Sequence, residues 1–347
     1  MKVSRLNQHI SFPAHSYLES GSGWRFLLVI LLLPACNGLF IDEQKANTAQ
    51  NNFDLLWQIM DERYCFFEEK GVDWDAMYAK YSKYANDHRY SLFAPMADML
   101  EELHDGHVSL DDGFISRTYS GWYKAFPENL NGSYREGKMP TTYLNNESYI
   151  FILPESIGYL RCPSFSDKFN RNDLDDAMAM FKGLKGVIVD VRHNGGGLVS
   201  EAYLLASRFT REKTHVGYVR YKTGKGHNDF SDYYARYVEP DGANPFHGKV
   251  AVLTNRKVYS AANLFVSIMD CLPQVCIVGD HTGGGGGVPI SAELYNGWTV
   301  KLSTNPTFDI YKRSIEAGVE PDVSVAIGND YGKDDIVETA KEWILAK

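Results

Sequence analysis

Four short stretches of this sequence hold residue types and spacings that could do chemistry. In "VLTNRKVYSAANLF" a serine, Ser260, follows an apolar run ending near Thr254 and opens a helical pattern. A serine there is most often an N-cap, its oxygen accepting a free backbone N–H of the first turn. The other reading is a nucleophile at the positive end of a helix, with the N–H of Ala261 turned toward the carbonyl it attacks. "VIVDVRHNGGGLVSEA" has the same strand, turn and helix plan: the strand ends at about Val191, and Asn194 to Gly197 make the turn. Such a turn either serves geometry alone or exposes successive backbone N–H groups as an anion or oxyanion site. It is not a phosphate loop of the Walker kind, because no GK[ST] follows. "LEELHDGHVSL" places His104 and His107 at the end of a helix. A general base must reach a nucleophile from elsewhere in the fold, which spacing cannot show. Last, "GDHTGGGGGVPIS" carries consecutive glycines at 283–287, able to cradle a phosphate, to act as slack, or to let two backbones approach closely.

The elements that must position these groups differ along the chain. In "FDLLWQIMDERYCFF" the apolar Leu56, Ile59, Met60 and Tyr64 recur at three- and four-residue steps, which predicts a helix. "WDAMYAKYSKYA" and "LFAPMADMLEELHDGH" continue in that manner, with Asp73 and Ser91 as caps and Pro95 in a first turn. Residues 50–110 therefore read as a small N-terminal helical domain, and the aromatic, glycine-dotted 111–148 as a linking segment with short strands. From 149 to 347 the texture is that of a core. "YIFIL", "IGYLRC", "GVIVDVR", "KVAVLT" and "VCIVG" alternate with helical stretches at 171–182, 198–210 and 261–271. Short β-branched runs separated by helices indicate a buried, largely parallel sheet, hence an α/β (α+β) fold. A polar, aromatic insertion at 220–248 is expected to loop out over a surface.

Composition bounds the function. The 347 residues are 44% hydrophobic and 23% charged with a net charge of −9, an ordinary globular balance with enough apolar material for a large core. The acidic balance and the absence of any Lys/Arg block exclude nucleic acid as a partner. At the N-terminus, "GWRFLLVILLLPAC" has a basic Arg25 and an apolar run from Phe26 to Leu33. A membrane span takes about 20 apolar residues, so the run suits a signal-peptide core instead. "LPAC" resembles the lipobox of bacterial lipoproteins, which would make Cys36 the lipid attachment site, 1–36 a leader and 37–49 a tether. An ordinary secretory leader is the simpler alternative. Either way the protein is expected to be exported, in the first case to the periplasm or outer membrane of a bacterial envelope, touching a membrane only through its anchor. Cys65, Cys162, Cys271 and Cys276 show no zinc spacing. Cys271 and Cys276 could pair in an oxidising compartment, although buried thiols are the plainer reading. No cofactor or metal is expected.

Taken together, "LHDGHVSL", "IGYLRCPSF", "VIVDVRHNGGG", "VLTNRKVYSAANLF", "VGDHTGGGG" and "GVEPDV" resemble, in order and context, the S41 serine peptidases. That group contains the C-terminal processing proteases and the tricorn-core-like proteases, and the resemblance covers about 100–327. It implies a crotonase-like β/α spiral core and peptidase chemistry on a protein or peptide substrate. Ser260 becomes the nucleophile, and the N–H groups of Gly196 and Ala261 the oxyanion hole. The family activates its serine in two ways: by a lysine after the serine, or by an upstream histidine assisted by a glutamate. No lysine occurs between Lys257 and Lys301, and the segment where one is expected reads Gly283 to Gly287. The resemblance therefore points to His107 as base and to Glu316 of "SIEAGVEPDV" as its carboxylate, with Glu320 a weaker candidate and Asp105 weaker still. The chain departs from the family at Asn263, where a glutamate is frequent, and at Gly106, where the tricorn-like branch has a serine whose part Ser109 could take. Asp111 to Ser156 is too short for the peptide-binding PDZ domain of the processing enzymes, so nothing supports recognition of a substrate's C-terminus.

Two other readings use the same scaffold. One is a non-catalytic ligand- or glycan-binding module, suited by aromatics dense at 119–149 and 218–237. The other is acyl-CoA chemistry, disfavoured by export away from CoA. Retention of serine, histidine and glutamate together favours catalysis.

Overall fold

In the computed structural model the described residues are 45–346 except 88, 90, 132–139 and 331. The leader, Cys36 and most of the tether lie outside them. The β-branched runs form strands, and five of them build the body of a seven-stranded sheet. Its order is Val323–Ser324, Val275–Gly279, Lys249–Thr254, Gly186–Asp190, Ile157–Arg161, Tyr149–Leu153, Thr142–Tyr143. The first five pair in parallel, and the last two join antiparallel. A parallel sheet must be covered on both faces, and the alternation of side chains shows how. Val187, Val189, Val250 and Val252 pack with the helices Arg171–Phe181, Val199–Ser207 and Ala261–Met269. Ile188, Ala251 and Leu253 pack with the helix Asp335–Leu345 on the other side. Three neighbouring parallel strands thus deliver their following turns to one edge. These turns are Asn194–Gly197, the loop to Ser260, and the glycine run.

The second sheet has six strands and is antiparallel throughout. Its long strand Thr299–Phe308 takes Gly287–Glu293 along one side, and Ser109–Asp111 followed by Thr214–Val219 along the other. The helices Ala49–Arg63, Trp74–Tyr81 and Phe93–Glu101 bury Phe53, Leu56, Met60, Met96 and Leu100 in the same cluster as Leu110, Val300 and Leu302 of this sheet. Asp73 caps its helix through Ala76 N–H at 3.0 Å. Ser91 does not cap, because the N-terminal position before Phe93 is Leu92, which makes no side-chain bond there. The stretch 220–248 is partly sheet: Tyr234–Val238 pairs with Thr214–Val219. Its Lys225 and His227 reach Glu62 and Asp61 of the first helix at 2.9 and 2.6 Å. All four cysteines in the described residues are free thiols.

Candidate active site

Ser260 immediately precedes the helix Ala261–Met269 and makes no capping bond with its side chain. The N-cap reading therefore does not hold. Its Oγ lies 2.9 Å from His107 Nε2 instead. The backbone there is unusual, with φ +57° and ψ −123°, a conformation a non-glycine residue adopts only when its surroundings impose it. They do so through hydrogen bonds on both sides. Ser260 N–H donates to Gly284 O at 2.9 Å, and Tyr259 N–H donates to Asn194 O at 3.0 Å.

His107 arrives from the opposite half of the molecule, in the turn between the helix Phe93–Glu101 and the strand Ser109–Asp111. The turn is closed by Asp105, whose Oδ1 accepts His107 N–H at 2.7 Å. Asp-Gly favours such side-chain-closed turns, so the pair was a legible signal of a fixed loop. Asp105 is fully buried and gathers three more donors: Tyr64 OH at 3.1 Å, Ser303 Oγ at 3.0 Å and, more loosely, Tyr259 OH at 3.4 Å. It clamps the histidine loop without touching the imidazole. Burial pushes the His107 imidazole down to about 4 against the pull of Asp105, with Lys301 and Lys70 lowering it further. The ring is therefore neutral at physiological pH. Its Nδ1 is buried and finds no hydrogen-bond partner among the described residues.

Glu316 is not at that nitrogen. Its Oε1 pairs with Lys70 Nζ at 2.9 Å, and its Oε2 accepts Gly286 N–H at 2.7 Å. Burial raises its carboxyl above the ordinary range and Asp105 adds to the rise, while Lys70 and Gly286 N–H oppose it. Lys70 was not singled out from sequence, where it reads as an ordinary helix-end lysine before Gly71. Glu320 is exposed and sits 3.5 Å from His281 Nε2, and Ser109 lies in a strand opposite Lys301.

The glycine run is a spine between these groups. Gly284 and Gly285 have φ of +88° and +83°, and a methyl at Gly284 would run into the Glu316 carbonyl. Gly284 O holds Ser260 N–H, Gly285 N–H donates to Glu316 O at 3.1 Å, and Gly286 O accepts Thr307 N–H at 2.9 Å. Of the two oxyanion candidates, Ala261 is the first residue of its helix, whereas Gly196 N–H donates to Asn194 Oδ1 at 2.9 Å. Gly196 lies so close that a Cβ there would stand 2.8 Å from Ser260 Cβ. Both family departures have a local physical account. A Cβ at Gly106 would stand 2.5 Å from Trp122 Nε1 and 2.9 Å from Tyr259 OH, so the indole takes the room a serine would need. Asn263 is buried. Its Nδ2 donates to Ile315 O at 2.8 Å and its Oδ1 accepts from Thr282 Oγ1 at 2.6 Å, which ties the helix that follows Ser260 to the segment bearing Glu316. Among the described residues no group of three His, Cys, Asp or Glu side chains could hold a metal ion.

This arrangement has relatives. The family model for peptidase family S41 matches residues 156–325, and that for the tricorn protease C1 domain matches 45–103. A crystal structure from Parabacteroides merdae, of a protein assigned to the peptidases, is 41% identical with a TM-score of 0.82, covering 87% of this chain and 98% of that one. The chain belongs to peptidase family S41. Other S41 relatives are more distant and longer. The carboxy-terminal processing protease CtpA of Bacillus subtilis is 27% identical over 212 residues, 59% of this chain and 41% of that protein. The tricorn protease of Thermoplasma acidophilum is 25% identical over 205 residues, 54% of this chain and 17% of that protein. The S41 chain thus spans about two fifths of the length of the first and under a fifth of the second.

Proposed function

We propose that this S41 chain is a serine endopeptidase that cleaves protein or peptide substrates through an acyl-enzyme on Ser260. The observation that carries the reading is the 2.9 Å contact between Ser260 Oγ and His107 Nε2, made by a serine that caps nothing. His107, kept neutral by burial, takes the Oγ proton as Oγ attacks the substrate carbonyl. It then passes that proton to the leaving amine, and a water activated in the same way releases the acid. Asp105 favours the imidazolium electrostatically from its place beneath the loop. The N–H groups of Ala261 and Gly196 receive the oxyanion, Gly196 by turning from Asn194 Oδ1 to the substrate. Glu316 serves as the third member of the site through the backbone: it holds Gly286, and the same run holds Ser260 N–H.

We further propose a crotonase-like spiral for the core, and export to a bacterial envelope with lipid anchoring at Cys36. The latter rests on the leader sequence. The Bacillus and Thermoplasma relatives are both proteases, which supports the catalytic reading over a ligand-binding module. A fluorophosphonate probe tests it. Labelling should map to Ser260 and vanish in Ser260→Ala and His107→Ala, whereas folded wild-type protein that takes no label would overturn the reading.

A further inference from the structure

Lys70 sits at the site, and the acyl-enzyme chemistry gives it no task. It ends the short helix Phe67–Lys70, which closes on Gly71 at φ +65°. Its Nζ makes bonds to two different segments: to Glu316 Oε1 at 2.9 Å and to His104 O at 3.2 Å. His104 opens the turn that carries His107, and its backbone is left-handed there, with φ +48°. The other oxygen of Glu316 accepts Gly286 N–H, and Gly284, two residues earlier, accepts Ser260 N–H. The ammonium therefore joins the histidine turn to the spine behind the serine. The Ser260–His107 contact closes the same circuit from the other side. A second link, Tyr259 OH to Asp105 Oδ1, is longer at 3.4 Å and has a neutral donor. Hydrogen bonds with an ionised partner are about twice as strong as neutral ones, so the Lys70 link dominates.

The link depends on charge. Burial drives Glu316 toward its neutral acid and Asp105 does the same, while Lys70 and Gly286 N–H favour the carboxylate. Burial also works against the ammonium, but Glu316, Asp105 and Glu69 outweigh it and hold Lys70 above its ordinary value. Among the described residues, the titratable groups facing Glu316 besides Lys70 are Asp105, Tyr64, Tyr259 and Cys65. Burial pushes both phenols and the thiol well above their usual ranges, so these three stay neutral. A lysine that only tied a helix to the core would act on stability and leave the chemistry alone.

We propose that Lys70 is a positioning residue of the peptidase site: it holds the His107 turn against Glu316 and, through Gly286 and Gly284, keeps Ser260 in line with the imidazole. The proposal rests on the peptidase reading, so one of its measurements uses no chemistry. That measurement is amide hydrogen exchange on the full-length protein. In Lys70→Met the Gly286, Ser260 and His107 amides should exchange about tenfold faster, while Val250 and Val252 are unchanged. No change, or an even rise across both sheets, overturns the proposal. The chemistry is read as labelling of Ser260 by an alkyl fluorophosphonate, resolved into affinity and maximal rate. Lys70→Met should lose about 10²-fold in rate with affinity held within about threefold. Lys70→Arg, which keeps the charge, should recover about tenfold of that loss. Without its cation Glu316 ionises at higher pH. Labelling of Lys70→Met should then climb with pH to a midpoint about one unit above any limb of the wild type, and adding Glu316→Gln should abolish the climb. An unaltered rate, a loss carried by affinity, a profile of unchanged shape or no recovery in Lys70→Arg overturns the proposal. Thermal melting reports folding. If Lys70→Met does not fold, Lys70→Met/Glu316→Gln, which leaves neither partner charged, carries the exchange and rate measurements. Wild-type protein that takes no label faults the peptidase reading, and the exchange pattern alone then decides the role of Lys70.

Discussion

The two sheets meet at the site and contribute to it in different ways. The parallel sheet supplies Ser260, the Gly196 turn and the glycine run from the same ends of three adjacent strands, and backbone hydrogen bonds fix them to one another. The antiparallel sheet and its helices supply His107, Lys70, Tyr64 and Ser303, each from a separate segment and joined by side-chain bonds that converge on Asp105 and Glu316. Half of the site is therefore built by local chain geometry and half by long-range polar contacts in a dry interior. Truncating a side chain of the first half, such as Ser260, should change chemistry alone. Damage to the second should change chemistry and stability together, because buried acceptors lose several donors at once.

The largest expected effect falls where the halves touch. His107→Ala and Ser260→Ala should each lower kcat/KM on a cleaved peptide by roughly 10⁴- to 10⁶-fold, and the double variant should be no worse than either single one. Additive losses would show that the two residues do not act as one unit, and would break the comparison. Asp105→Asn comes next. An amide cannot accept from four donors, so about 10²-fold in kcat should go together with roughly 2 kcal/mol of stability, read by denaturant melts. If activity falls while stability is unchanged, Asp105 belongs to the chemistry and the division between the halves is misplaced.

The same division explains what the sequence made legible. Strand runs of four to six residues between helical stretches announce a parallel sheet because β-branched side chains suit a backbone buried on both faces. The serine and glycine turns were readable as exceptions at the ends of those runs. The strands Tyr149–Leu153, Ile157–Arg161, Gly186–Asp190, Lys249–Thr254 and Val275–Gly279 of the seven-stranded sheet lie where the texture changes. Nothing in the spacing joins Tyr64 to Asp105, or Lys70 to Glu316, across 41 positions in the first case and most of the chain in the second. Those contacts arise from how the antiparallel sheet folds under the helices, and their residue types are ordinary at helix ends. Glu316 illustrates the limit. Its presence was readable, but its attachment to Lys70 and Gly286 instead of the imidazole depends on a backbone path that no short motif encodes.

The glycine run sharpens the contrast at smaller cost. Gly284→Ala places a methyl against the Glu316 carbonyl at a left-handed φ, so about 3 kcal/mol should be lost and peptidase activity should fall with it. Gly183 has a similar φ of +82° but open space around it, so Gly183→Ala should cost about 1 kcal/mol and leave activity alone. Equal melting shifts for the two would mean that backbone strain, not the close approach to Glu316, accounts for the run.

The smallest effect near neutral pH concerns His107, and it separates the halves most finely. Because burial depresses the imidazole to about 4, the acid limb of kcat/KM should have its midpoint near there, with a flat profile between pH 5 and 7. The sign follows from which form is penalised. The folded state resists protonating this ring, so acid removes both activity and, from the ordinary histidine value of 6.5 downward, stability. Asp105 is the group that pulls the imidazole upward against burial. In Asp105→Asn the acid limb should therefore move to lower pH even as the maximal rate drops. A limb that moves upward would mean that losing the clamp opens the ring to water, which would make Asp105 a structural seal and not an electrostatic partner of the imidazolium.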